Sequence, residues 1–142
     1  MRLPFATVIF FIVCGNAVAE EINYPRAQYN YQMFCQGCHA PQGLGSPSVP
    51  RMKDHVGNFL RTANGREYLV RVPGSATSSL ADDQLAEVLN WMMLEIAGDS
   101  VRPGFEHYTA TEVGRLRQHP LNEVEQYRVQ LLIEIAALET GD

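Results

Sequence analysis

Two cysteines three positions apart, followed at once by a histidine in Cys35-Gln36-Gly37-Cys38-His39, constrain this 142-residue chain more than any other feature. A disulfide closing so small a loop would remove little chain entropy and add little stability. Structural zinc requires two further Cys or His ligands at matching spacing, but His55, His107 and His119 stand singly. A thioredoxin-like redox pair requires βαβ surroundings, and none are visible around the motif. Covalent haem uses all three residues. The thiols add to the two porphyrin vinyl groups, and the adjacent imidazole coordinates the iron from one face. One helical turn sets Cys35 and Cys38 along a porphyrin edge and carries His39 under the metal, while Gly37 lets the backbone approach the ring.

The N-terminus reads differently. Met1-Arg2 gives a positive start, "FATVIFFIVC" an apolar run, and "AVA" before Glu20 a small-x-small processing pattern. Residues 1–19 are therefore predicted to be a secretory signal peptide cleaved after Ala19, with export to the periplasm. A retained membrane anchor is the weaker reading, because the run falls short of the roughly 20 apolar residues a span needs. A lipid-modified Cys14 is weaker still, since Val13 precedes it where a small residue is wanted. Cys14 leaves with the signal, so Cys35 and Cys38 become the whole thiol content of a chain in an oxidising compartment. Loss of Arg2, with no acid removed, takes the net charge from −5 to −6. A mildly acidic chain without clustered positive charge is not expected to bind nucleic acid.

Tyr31 stands four residues before Cys35 in "AQYNYQMFC", a Gly- and Pro-rich stretch follows in "CHAPQGLGSPSVPRM", and Trp91 lies within "LADDQLAEVLNWMM". On these segments, spanning residues 24–97, the sequence resembles the small class I cytochromes c, although Ala27 stands where that family usually has Gly. The resemblance implies an all-α, cytochrome c-like helical fold around one covalent haem c. It implies Cys35 and Cys38 as the thioether sites, His39 as axial iron ligand, and the Pro50 carbonyl as partner of the free imidazole nitrogen. It further implies a one-electron carrier rather than an enzyme, working with a periplasmic redox protein such as a dehydrogenase or oxidase.

Residue spacing agrees without the family. Ala27, Tyr31, Phe34, Cys35 and Cys38 suit one helical face within residues 24–39. The prolines and glycines of residues 40–50 exclude regular structure. Residues 54–72 read as two short helical pieces divided at Asn64-Gly65. Leu85, Val88, Leu89, Met92 and Ile96 form a stripe across residues 82–97, with Trp91 and the methionines as core. Residues 20–98 then make the cytochrome domain and residues 99–142 a C-terminal helical extension. In the extension, Thr109-x-x-Glu112 and Asn122-x-x-Glu125 open two helices separated by Pro120. The second carries Val124, Tyr127, Leu131, Ile135 and Leu138 at spacings of three and four. Such a stripe must be buried, either on the haem domain, the simpler account for a small core, or against a partner or a second copy.

The far side of the iron stays open at this level. Electron-transfer members of the family usually coordinate it through a Met in the loop before the last helix. Here that loop is "RVPGSATSSL", residues 71–80, with Val72-Pro73 where Met-Pro is expected and no Met or His within it. Met52 and His107 are the substitutes considered first, with His55, Met92 and Met93 behind them; each has a plainer role in packing or on the surface. If none serves, the chain is instead a high-spin haem protein that binds a small ligand or performs redox catalysis. A third reading makes it a subunit docked to a dehydrogenase through its C-terminal helices. Charge is uneven too: residues 51–71 hold five cations against Asp54 and Glu67, and residues 80–142 hold twelve acids against four arginines. The two regions are either solvated faces, with one or two of the arginines instead paired with haem propionates, or a dipole that steers docking.

Overall fold

A computed structural model describes residues 21–140; the expected signal peptide, including Cys14, lies outside the described residues. The described chain has no strand beyond an isolated bridge between Ser46 and Val49, and the fold is all-α as expected. Helices α1 (Tyr24–Phe34), α2 (Gln36–His39), α3 (Ala63–Arg71), α4 (Pro73–Ala76), α5 (Asp82–Glu95), α6 (Ala110–Leu116) and α7 (Val124–Thr140) are joined by loops and short 3-10 turns.

Helix α1 starts where the Asn23 side chain accepts from Arg26 N, with Pro25 in the first turn, where its missing N–H costs nothing. It crosses α5 closely because Ala27, fully buried, leaves no bulk at the contact. Tyr31 packs on Trp91 there, with ring centres 5.3 Å apart. The buried Glu87 of α5 closes the far end of this contact. It accepts from Arg26 Nε and Nη2 at 2.7 and 3.0 Å and from the Asn23 N–H at 2.8 Å.

Asn64-Gly65 does not divide two helices, contrary to the turn reading. The break comes earlier, at Thr62, whose hydroxyl accepts from Gly65 N at 2.9 Å and caps α3. A glycine is needed at that position for proximity, since a Cβ on Gly65 would sit 2.1 Å from the Phe59 carbonyl oxygen. A dipeptide that looks like a stop signal is here the first turn of a helix packed on the 3-10 turn Val56–Arg61.

The C-terminal extension packs back on the rest of the chain. Asn90 grips Tyr108 as a second backbone would, accepting from its N–H at 2.7 Å and donating to its carbonyl at 2.9 Å. Arg66 pairs bidentately with Glu112 and also takes the Glu106 and His107 carbonyls. Arg117 donates to the carbonyls of Ala76, Ser78 and Leu80 and to Asp82. Val113 and Leu116 of α6 cover α5, so that α5 is buried continuously from Leu85 to Met93 instead of along one stripe. Helix α6 begins at the Thr109 cap as its sequence pattern indicates, while α7 begins at Val124, two residues after Asn122. Leu131 and Ile135 of α7 are buried and Tyr127 stacks on Tyr68, but Leu138 falls outside the contact and is 45% exposed. Among the described residues no helix is long and apolar enough to cross a membrane.

Two outcomes test this packing. Glu87→Ala removes three charge-assisted bonds but leaves Arg26 half in solvent, so thermal or denaturant unfolding should show a loss of about 2 kcal/mol. Burial holds the Tyr108 phenol well above its ordinary pKa of 10.0, so the folded chain keeps a proton that the unfolded chain gives up. Stability should therefore fall as pH rises past 10.0, and Tyr108→Phe, about 1 kcal/mol weaker at neutral pH for want of the bond to the Arg66 carbonyl, should lose less between neutral and alkaline pH.

Candidate functional site

The motif occupies the joint between α1 and α2. Cys35 leaves helical geometry at φ −121°, ψ −41°, while its N–H still bonds the Tyr31 carbonyl at 2.9 Å. One turn later the His39 N–H bonds the Cys35 carbonyl at 3.0 Å, which places the two thiols and the imidazole on a single short helix. The thiols are not joined to each other. Ala40 then turns the chain out of the helix at φ 61°, a left-handed geometry that costs a residue with a Cβ, and its carbonyl accepts the Tyr31 hydroxyl at 3.0 Å. The 3-10 turn Pro41–Gly43 and the Ser46–Val49 bridge follow, so residues 40–50 are a tight loop with little regular structure.

This turn opens on a cavity of about 240 Å³. Cys35, Cys38, His39, Pro50 and Met52 all line it. Leu85, Val88, Leu89 and Met92 of α5 form the adjoining wall, and Phe59, Tyr68, Leu69 and Val72 come from the α3 side. Two residues of the extension, Val124 and Arg128, also line it, as do Arg51, Ser75 and Ser78.

Burial lowers the His39 imidazole pKa, against a smaller opposing effect of the Pro50 carbonyl, so the ring favours its neutral, metal-binding form. His39 Nδ1 is buried and makes no hydrogen bond of ordinary geometry. Burial and the neighbouring Cys38 push the Cys35 thiol up to about 11. A neutral imidazole with an orphaned nitrogen and two thiols, all at the edge of one apolar cavity, fit a covalently held haem. When bound, that group supplies the one-electron change at iron, while the chain supplies anchors, a nitrogen ligand and an apolar enclosure.

The proposed substitutes for the far ligand separate. Met52 lines the cavity, but its terminal methyl packs against Gly43, in the loop that follows His39. Met92 lines it from α5, and Met93 is buried outside it. His55 packs edge-on against Phe59 away from the lining. His107 is not brought to the cavity either: Arg66 holds the Glu106 and His107 carbonyls at α3, and the imidazole packs on Phe105 at 5.4 Å. Sequence reading allowed one or two arginines at the haem without singling out Arg128, and did not find Val124. The available signal was an arginine on the otherwise apolar face of α7.

Gly43 takes φ +69°, and a Cβ there would come within 2.8 Å of Ile96 Cγ2 and 3.1 Å of Met52 Cβ. Gly43→Ala should therefore cost about 1–3 kcal/mol in unfolding experiments and displace Met52 at the cavity wall.

No family model matches the chain, and no solved structure matches it. Among known proteins it is similar to cytochrome c-552 of Thermus thermophilus, 32% identical over 106 residues, which covers 61% of this chain and 81% of that protein. It is equally similar to the cytochrome c-552 of a further strain of Thermus thermophilus, 32% identical over 106 residues and 72% of that protein's length.

Proposed function

The chain belongs to the c-type cytochromes, electron carriers with covalently attached haem c, and from that premise we propose a class I, single-haem member exported to the periplasm. It carries electrons one at a time between a periplasmic oxidoreductase, a dehydrogenase or an oxidase, and a redox partner. Cys35 and Cys38 form the thioethers, His39 binds the iron, and residues 99–142 are an integral extension of the cytochrome domain. The observation that supports this reading is the convergence of both thiols and a neutral, half-buried imidazole on one apolar cavity. A haem held in this cavity would be enclosed by apolar side chains of α5 and the α3 side, an environment that suits electron transfer.

A second reading has a specific observation in its favour. The α3 side of the cavity presents Phe59, Tyr68, Leu69 and Val72, with neither thioether nor imidazole among them. An iron facing that wall would accept a small ligand such as CO.

Spectra of the haem-loaded full chain decide between the two. A pyridine haemochrome of the thioether type, with pigment retained in acidified acetone, is expected on either reading, and its absence would remove both. The weak long-wavelength sulfur-to-iron band of the ferric form indicates Met ligation and simple carriage; rapid CO binding to the ferrous form indicates an open face. In the open case, Val72→Met should introduce the sulfur-to-iron band, slow CO binding and raise the reduction potential.

A further inference from the structure

Helix α7 is apolar on two sides. Leu131 and Ile135 bury its inner side against the rest of the chain. A surface helix ordinarily carries its charges on the side opposite the buried one, and α7 does not. Gln126, Val129, Gln130, Ile133, Ala137 and Thr140 share one outward strip at helical spacing; all are exposed and none is charged. Val129 and Ile133 leave 51% and 66% of their surface in solvent.

Whatever covers this strip has to match it. A charged docking patch would find no counter-charge there. An anionic membrane surface would be repelled, because the exposed acids Glu125 and Glu134 border the strip and the one cation of α7, Arg128, lines the cavity instead. A second copy of α7, run antiparallel, does match. With both helices centred on Ile133, that residue meets its own copy, Val129 meets Ala137, Gln130 meets Ala136, and Gln126 meets Thr140. Larger side chains then fall opposite alanines, and polar groups face each other at the ends. The Thr140 hydroxyl donates to the Ala137 carbonyl at 3.1 Å, which leaves its oxygen to accept from the Gln126 amide. A parallel alignment would instead set alanine on alanine, leaving a gap, and would place like ends of the two helix dipoles together.

We propose that the outward strip of α7 is a self-association surface, on which two copies of this chain pair antiparallel about a two-fold axis at Ile133. A helix of 17 residues is about 25 Å long, so the contact falls short of the roughly 800 Å² per partner of a stable interface. The pairing is therefore reversible and belongs to high protein concentration. The two-fold axis puts both copies of Glu134 on one edge of the pair, so added salt tightens it by screening their repulsion.

Sedimentation velocity of the haem-loaded chain, from micromolar to millimolar concentration, should show a reversible monomer-dimer equilibrium that strengthens with salt. Ile133→Glu should weaken it by about tenfold or more, since it places a charge at the centre of the contact. Glu134→Gln should strengthen it by about twofold. Both positions are exposed in the single chain, so neither change threatens the fold. Oxidation of an Ile133→Cys chain should link two copies through position 133, while wild type and Gln118→Cys, an exposed position in the turn after α6, stay largely unlinked. A chain that remains monomeric at millimolar concentration, a dimer that Ile133→Glu leaves intact, or a link that forms no faster in Ile133→Cys than in Gln118→Cys would each overturn the proposal. Flotation of a monomeric chain with phosphatidylcholine vesicles, lost in Ile133→Glu, would overturn it too and assign the strip to a lipid surface.

Discussion

Apolar surface on α3 and α5 has to be kept from water, and most of the long-range contacts serve that end. Leu69, Val72, Leu85, Val88 and Met92 line one cavity, so a porphyrin held there would become part of the hydrophobic core. A chain of this size buries too small a share of its surface to leave such a wall loosely covered. The short helix bearing the two cysteines and His39 is consequently held at several points. Tyr31 donates to the Ala40 carbonyl, and the Gly43 carbonyl accepts from the N–H groups of Met52 and Lys53, folding the loop back on itself.

The extension supplies what a minimal helical cytochrome would lack. Its acids meet the cations of residues 51–71 inside the same molecule: Arg61 pairs with Glu139, and Arg66 with Glu112. The separation of charge along the sequence is therefore in part an internal complementarity, and correspondingly less of it is left to steer a partner. The pairs differ in weight. Arg66 and Glu112 are each about three-quarters buried and bidentate, and the guanidinium also lies 4.0 Å from the Tyr108 ring centre, whereas Glu139 is more than half exposed and its pair is screened.

The parts of the fold legible in sequence were those fixed by local chemistry. Cys35, Cys38 and His39 declare a spacing, Thr109 declares a cap, and the stripe from Leu85 to Ile96 declares a helix. What escaped depends on contacts between distant segments. Asn64-Gly65 looks like a stop because Gly permits one, but the approach of the Phe59 carbonyl is what selects glycine there. Helix α5 reads as one apolar stripe, yet Glu87 and Asn90 are buried as deeply as the leucines, each matched to a partner, Arg26 or Tyr108, on another element. Periodicity cannot reveal a polar residue whose burial is made possible by a hydrogen bond 18 or more residues away.

The same reasoning bears on the loop before α5. In the family this sequence resembles, a methionine in that loop is tied down by its bond to iron. Val72 and the serines that follow cannot make such a tie, and a loop without one would be free to fray. Here Arg117, from the helix that a minimal cytochrome does not possess, takes three carbonyls of residues 76–80 and the Asp82 carboxylate at the start of α5. A single largely buried guanidinium thus restrains the segment mechanically, without placing a ligand at the metal. The extension therefore restrains this loop where no loop methionine is present to do so.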